Sequence, residues 1–344
     1  MGVFTHNNVT GVTWDANVKF KSNSMSNAFR DCRNLISQIN IPHGVTSLEY
    51  TFHNCSSFNQ PVTIPNGVVG MCNAFGGCVK FNQPVTIPAS VTNMENAFRG
   101  CSNFNKPVII SNGVTSLHSA FHLCSNFNQP VTIPDSVTNM ALTFANCYNY
   151  NQSVTIPSSV TNMFYTFANC YNYNQPIDVP NGVTSLHSAF FNCYKLNKPV
   201  TIPDSVTRLD FTFYNCSSFN QPITIPNGVV MMNYTFYNCI NFNQPVTIPE
   251  SVGNVINMFF NCKKMAGNIT IYARSLTNFR NMIGNKNNSI RINIFVPNGS
   301  TTNAYIKSST TLANSVVGKS ITWTTATDYY YNSAYNIYVY WNTF

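Results

Sequence analysis

The sequence predicts an α/β repeat solenoid, a right-handed coil with short parallel strands on one face, helical or 3₁₀ turns on the other, and a β-rich C-terminal cap. Three observations predict it. Cysteines stand at positions 32, 55, 78, 101, 124, 147, 170, 193, 216, 239 and 262, always 23 residues apart, with no insertion. A phenylalanine precedes each of them by three residues, from Phe29 to Phe259. Most intervals also carry one short Val/Ile–Thr alternation bounded by prolines. Fixed periods of roughly 20–50 residues mark architectures in which each unit buries its apolar face only against its neighbours.

The elements follow in chain order. Residues 1–23 lack the repeat and form an N-terminal cap; residues 24–285 hold about eleven repeats of 23. Within the repeat from Cys124 to Cys147, a bulky apolar residue, Phe127, comes first, followed by an Asn. "PVTIP" then makes a strand of three or four residues, with Val131 and Ile133 inward and Thr132 outward. Pro130 and Pro134 punctuate it, since proline is tolerated at strand ends but not in a ladder's middle. A turn follows, Val137 points inward again, and Met140, Thr143–Phe144 and Cys147 fall at helical offsets of three, four and seven. Residues 286–344 form the C-terminal cap, in which "YNIYVYW" reads as a strand. An exposed aromatic strand is an aggregation hazard, so this tail either caps the last repeat or docks on a partner.

The segments "VTIPASVTNMENAFRGC" (85–101) and "VTIPDSVTRLDFTFYNC" (200–216) resemble, position by position, the BspA-type leucine-rich repeat, L-x-x-I-x-I-P-x-S-V-T-x-I-G-x-x-A-F-x-x-C. The likeness spans residues 24–285, and departs in using Phe or Tyr where Leu is common and in adding "NQP" before the strand. "INIFVPNGSTTNAYIKSSTTL" followed by "ITWTT" is similar to the tail that often closes such arrays. The resemblance implies a leucine-rich-repeat-like coil used for binding on a surface, in adhesins, protozoan surface proteins and phage-borne versions, and it implies no catalysis.

Composition narrows the class. Of 344 residues, 44% are hydrophobic and 14% aromatic, but only 8% are charged, far below the roughly 25% of ordinary soluble domains. The formal charge of +8 is concentrated near the two ends of the array, and no Lys or Arg lies between Lys106 and Lys195. A nucleic-acid binder would carry a continuous basic stripe, so no nucleic-acid partner is expected. No apolar run is long enough to span a bilayer, and the N-terminus lacks the basic and apolar regions of a signal peptide. His6 stands where a myristoylation signal needs Ser or Thr.

The recurring Cys55, Cys78, Cys101, Cys124, Cys147, Cys170, Cys193, Cys216 and Cys239 are read as a structural core ladder of free thiols. Zinc sites want paired ligands at short spacing, and a ladder of single ligands cannot supply a tetrahedron. Disulfides between adjacent coils meet parallel Cβ vectors about 4.8 Å apart, wider than the roughly 3.8 Å a bridge prefers. Cys72 lies outside the ladder and is the one candidate for an exposed thiol. The Asn column from Asn59 to Asn243 is read as buried amides bonding backbone groups of successive coils. His118 and His122 stand four apart with no third ligand in register, and Asp135, Asp204 and Glu250 share one turn column in separate repeats. No pair of carboxylates or nucleophile–base set is legible; neither catalytic residues, metal nor cofactor is expected.

The residues that change between repeats are the candidates for recognition. At the two positions after Met140 and its equivalents, and just after the cysteines, aromatics gather: Phe164, Tyr165, Phe211, Tyr234, Tyr148, Tyr171 and Tyr194, with Tyr214 and Tyr237 nearby. Uncharged exposed aromatics suit carbohydrate stacking or a protein interface. A flat row of strand threonines, Thr63 to Thr247, is a second, more ordinary face. The expectation is a non-enzymatic recognition or adhesion protein on a virion surface or a cell surface. A phage fibre or decoration component binding a host glycan or protein stands first, then a bacterial adhesin, then a virion spacer or cement protein held by other virion proteins. The C-terminal cap is the expected surface for any homo-oligomer.

Overall fold

The computed structural model describes residues 9–12, 23–266, 268–272, 282–283, 290–296, 324–325, 329–332 and 337–343. It divides into two compact units, Met1–Tyr173 and Asn174–Phe344.

In the first unit the coils stack in parallel. β1 (Val85–Ile87) pairs with β2 (Val108–Ile110) in the register Val85↔Val108 and Ile87↔Ile110, exactly one repeat apart in number. The outward–inward alternation is as the sequence predicts, with Val131 and Ile133 buried and Thr132 exposed even where no ladder forms. The ladder is broken because proline brings no N–H to it. It closes at β2, where Ser111 stands in the place of the usual Pro and its N–H donates to the carbonyl of Ile87 at 3.2 Å. A second parallel ladder runs along the residue before the Met/Leu column, through Ser24, Ser47, Gly70, Asn93, Ser116, Asn139 and Asn162.

The opposite face is not helical. No helix forms over the Met–Phe–Cys segments, although Met140, Thr143, Phe144 and Cys147 are all buried as their offsets require. The N–H groups alternate instead between two destinations. Those of Met140, Leu142, Phe144 and Asn146 donate to the next coil, at 2.7–2.9 Å, while those of Thr143, Ala145 and Cys147 close tight turns three residues back. Two residues per coil take left-handed φ, here Leu142 (57°) and Asn146 (61°), which no helix admits. Spacing is the physical reason. The buried Phe columns repeat at 5.3–5.8 Å, and a helix is about 10–12 Å across, so successive coils leave no room for one each.

Two aromatic columns fill the first unit's core. Phe29, Phe52, Phe75, Phe98, Phe121, Phe144 and Phe167 form one; Phe58, Phe81, Phe104, Phe127, Tyr150 and Tyr173 form the other. The Asn column lies at the corner beside them, half-buried or exposed rather than buried. The oxygens accept the N–H one coil on, as from Asn105 to Asn82 at 2.9 Å and, at the end of the column, from Ala266 to Asn243. At the N-terminal end, the carbonyl of Thr10 accepts the N–H groups of Ile36 and Ser37.

The second unit repeats the plan. β3 (Ile177–Asp178) pairs with β4 (Val200–Thr201), and the bridging ladder passes through Ser185, Arg208, Met231 and Asn254. β5 (Val246–Ile248), β6 (Ile269–Tyr272), β7 (Ile290–Val296), β8 (Thr324–Thr325), β9 (Tyr329–Asn332) and β10 (Ile337–Thr343) make one six-stranded sheet, ordered β5-β6-β7-β10-β9-β8. β10, carrying the Tyr-Val-Tyr sequence, runs parallel to β7 and antiparallel to β9, so the tail extends the sheet of the last coils.

Candidate recognition surface

The turn face is built from the same backbone columns in every coil, and only the side chains differ. The residue five before each cysteine takes φ of 50–60° throughout, from Asn27 to Asn257. This region suits Asn and Gly and costs roughly 1 kcal/mol or more for bulkier residues. Asn27, Asn73, Asn96 and Asn257 occupy it in four coils and Ser119 and Ser188 in two; bulkier residues hold it at Tyr50, Leu142 and Tyr165 in the first unit and at Phe211 and Tyr234 in the second, the last two each at 57°.

Those two rings stack face to face, with centroids 4.8 Å apart and planes 5° apart. Beside them runs a longer row, two residues before the cysteines. Phe191, Tyr214, Tyr237 and Phe260 stack at 4.7, 4.7 and 5.1 Å, with interplanar angles of 7°, 1° and 9°. The rows lean together at Phe211–Tyr214 (5.9 Å) and Tyr234–Tyr237 (5.7 Å), and His187 meets Phe211 edge-on. All six aromatic rings are half-buried. Tyr214 and Tyr237 carry a ring on each face, so their outward parts are ring rims and hydroxyls. Burial, with the Tyr237 and Tyr234 phenols beside it, pushes the Tyr214 phenol up, which keeps it a hydrogen-bond donor.

An ion pair lies just before Phe211 in the chain and acts on His187, which meets Phe211. The Arg208 Nε donates to Asp210 Oδ2 at 3.2 Å, and Asp210 Oδ1 accepts from the backbone N–H and side-chain amide of Asn233. The Asp210 side chain is 4% exposed and that of Arg208 49%.

Of the residues singled out from sequence, Phe211 and Tyr234 thus come together in the second unit, and Tyr194 is exposed there. The first unit holds two other pairs. Tyr148 and Tyr171 stack at 4.7 Å, while Phe164 and Tyr165 meet at 4.4 Å with planes 61° apart. Phe191 and Phe260 were missing from the sequence selection, although aromatics two before four successive cysteines were a readable signal. In the first unit that same column carries Arg30, His53, Arg99 and His122, and the small residues Gly76, Ala145 and Ala168. Burial first, then Arg99 and His118, lowers His122 to about 4, and its Nε2 accepts the Asn146 amide at 3.0 Å. Burial likewise lowers His53.

The cysteines are internal to this face. All twelve are free, the eleven of the ladder are buried, and Cys72 is half-buried. A ladder thiol donates to the phenylalanine carbonyl of the preceding coil, as Cys147 Sγ does to Phe121 O at 3.0 Å. Burial raises these thiols far above their usual range, which keeps them protonated and unreactive. Among the described residues no three His, Cys, Asp or Glu could hold a metal ion, and no helix is long and apolar enough to cross a membrane. The strand threonines are exposed. On that face the first unit has an open cavity of about 570 Å³ lined by Val62, Pro84, Pro107, Ile109 and Ser111, where Ile109 replaces the usual Thr.

Twenty-three-residue coils joined by parallel ladders around stacked phenylalanines define a leucine-rich-repeat solenoid, as the BspA-type resemblance implied. The family model described as "Mycoplasma protein of unknown function, DUF285" matches residues 23–112, 71–179, 109–201 and 184–294, and the chain belongs to that repeat family. Among solved structures, a leucine-rich repeat protein from Bacteroides ovatus ATCC 8483 is 21% identical, covering 87% of this chain and 80% of that one, with a TM-score of 0.58. That likeness establishes the fold. A leucine rich cell surface protein from Faecalibacterium prausnitzii A2-165 is 20% identical over 86% of each chain, with a TM-score of 0.44. No curated protein sequence matches the chain.

Proposed function

We propose that the protein is a non-enzymatic recognition or adhesion module displayed on a surface, and that the aromatic pad of the second unit is its contact site. One observation carries this reading. Phe211 and Tyr234 hold the left-handed position that Asn27, Asn73, Asn96 and Asn257 hold in other coils, and where Tyr50, Leu142 and Tyr165 also stand in the first unit; they join four further rings in an uncharged, half-exposed patch. Stacking of the coils does not require those rings, because Asn73 and Asn96 serve at the same backbone position. Strain kept at a position that stability would fill otherwise points to use, and aromatic anchors are the usual carriers of contact energy. The leucine-rich-repeat fold agrees with this role and leaves the ligand open.

The test uses labelled full-length protein and host cells or tissue sections. Attachment is expected for the native chain and lost, by about tenfold or more, in the F211N/Y234N double variant. That variant keeps the fold, because Asn suits the left-handed positions. Equal attachment by the two proteins would remove the pad from the reading. Immunogold imaging of producing cells and any particles they release gives the location: label on the cell envelope makes it a cell-surface adhesin, label on particles a virion fibre or decoration component. Label confined to the cell interior would overturn surface display.

A further inference from the structure

We propose that Arg208 is an anion anchor and that the ligand of the second unit's pad is a carboxylate-bearing glycan. The proposal rests on the reading of the pad as a contact site and adds the chemical class of what it takes. Its centre is a guanidinium fixed from beneath. Asp210 is almost wholly buried, is held on its other oxygen by two donors of Asn233, and engages Arg208 only through Nε. Among the described residues the guanidinium makes no other hydrogen bond, which leaves the outer fork of its Nη groups turned away from Asp210 in a side chain that is half exposed. A planar fork of this kind matches the two oxygens of a carboxylate, and holding it in one orientation removes entropy that binding would otherwise cost.

The surroundings favour the same charge. Because Tyr214 and Tyr237 are each sandwiched between rings, the pad presents rims, the positive part of the aromatic quadrupole, and phenol donors. Rims and donors attract oxygen-rich, anionic groups; they do not offer the open faces on which a neutral sugar ring stacks. The pad's geometry thus turns the expected stacking platform into a hydrogen-bonding strip, with one fixed cation just before Phe211 in the chain.

Size selects the glycan over a protein. The longer row covers roughly 15 Å by its ring spacings and is flanked by one shorter row. A stable protein partner needs about 800 Å² on each side, far more than such a strip. A short stretch of an oligosaccharide fits it.

Binding of the full chain to immobilised oligosaccharides tests this. The probes are a glucuronate oligomer and a sialylated oligosaccharide, which separate the two sources of the carboxylate, each beside its carboxyl-reduced counterpart. At least one acidic probe is expected to bind, its reduced form to bind about tenfold or more weakly, and added salt to weaken the acidic probe. R208Q alone would leave Asp210 buried without its cation, so the R208Q/D210N double variant is used with it, and both are expected to lose the preference for the acid. Acidic and reduced probes binding alike, or an unchanged preference in R208Q/D210N, would overturn the proposal. If no glycan binds yet F211N/Y234N still abolishes cell attachment, the proposal fails while the pad's role as a contact site stands.

Discussion

The two units share a backbone plan and a core but differ on the turn face. Two residues before the cysteine, the first unit carries Arg30, His53, Gly76, Arg99, His122, Ala145 and Ala168, with no ring stack, and the second carries Phe191, Tyr214, Tyr237 and Phe260. Inside, both stack phenylalanines at similar spacing: 5.7 Å for Phe121–Phe144 and 5.4 Å for Phe213–Phe236. The contrast teaches where the repeat constrains the chain. Inward columns and left-handed positions are set by stacking, and the outward column is free to vary, holding stacked rings in one unit and arginines, part-buried imidazoles or small residues in the other.

The sharpest way to break that comparison is to cut both cores at equivalent places. Phe121 lies against Phe98, Phe144 and Phe127, and Phe236 against Phe213, Phe259 and Phe242. Phe121→Ala and Phe236→Ala are each expected to cost about 3–5 kcal/mol, since a large buried ring is removed from a column that cannot collapse around the gap. Coil arrays unfold in parts, so hydrogen exchange of the flanking coils is the measurement to use. A loss at Phe236 much below that at Phe121 would mean that the two cores are not equivalent.

Much of this was legible in the sequence because a period of 23 averages the signal over eleven coils. The inward Val/Ile, Phe and Cys columns follow directly from their spacing. The sequence predicts helical or 3₁₀ turns on the turn face, and only tight turns form, because buried residues at offsets of three, four and seven look alike in a helix and in a chain of tight turns. The distinguishing sign was the Asn that precedes most of the cysteines, as at Asn146, Asn169 and Asn192, since Asn is the side chain most at ease at left-handed φ. The pad was legible only in part: Phe211 and Tyr234 stood out as variable, but no spacing along the sequence could reveal that a buried Asp210 orients Arg208.

A smaller effect is read by pH, at His122 in the first unit. Folding holds His122 near 4, below the 6.5 of an exposed imidazole, so the folded state binds fewer protons than the unfolded one between those values. Stability contributed by its neutral ring is therefore complete above about pH 6.5 and is lost as pH falls toward 4. Protonation would also place a donor at Nε2, opposite the Asn146 amide. The melting temperature is expected to fall over that window in the native chain and to fall less in His122→Gln. Identical pH slopes in the two proteins would contradict this.

The smallest expected effect concerns one oxygen. In the second core column, Phe58, Phe81, Phe104 and Phe127 give way to Tyr150, whose ring continues the stack at 6.0 Å from Phe127 and rests on Phe144 at 4.3 Å. Its hydroxyl is buried, meets no hydrogen-bond partner among the described residues, and burial pushes the phenol well above its usual range. An oxygen taken from water without a new bond costs about 1–2 kcal/mol, whereas the ring itself earns its place by packing. Tyr150→Phe is therefore expected to raise stability by about 1 kcal/mol, and Phe127→Tyr, the reverse change one coil earlier, to lower it by a similar amount. The equivalent column of the second unit already holds Phe219 and Phe242, stacked at 6.0 Å without an oxygen between them. A loss of stability in Tyr150→Phe would show that the hydroxyl is bonded, by a water held within the first unit, and that tyrosine stands in this column for its oxygen rather than by tolerance of a small cost.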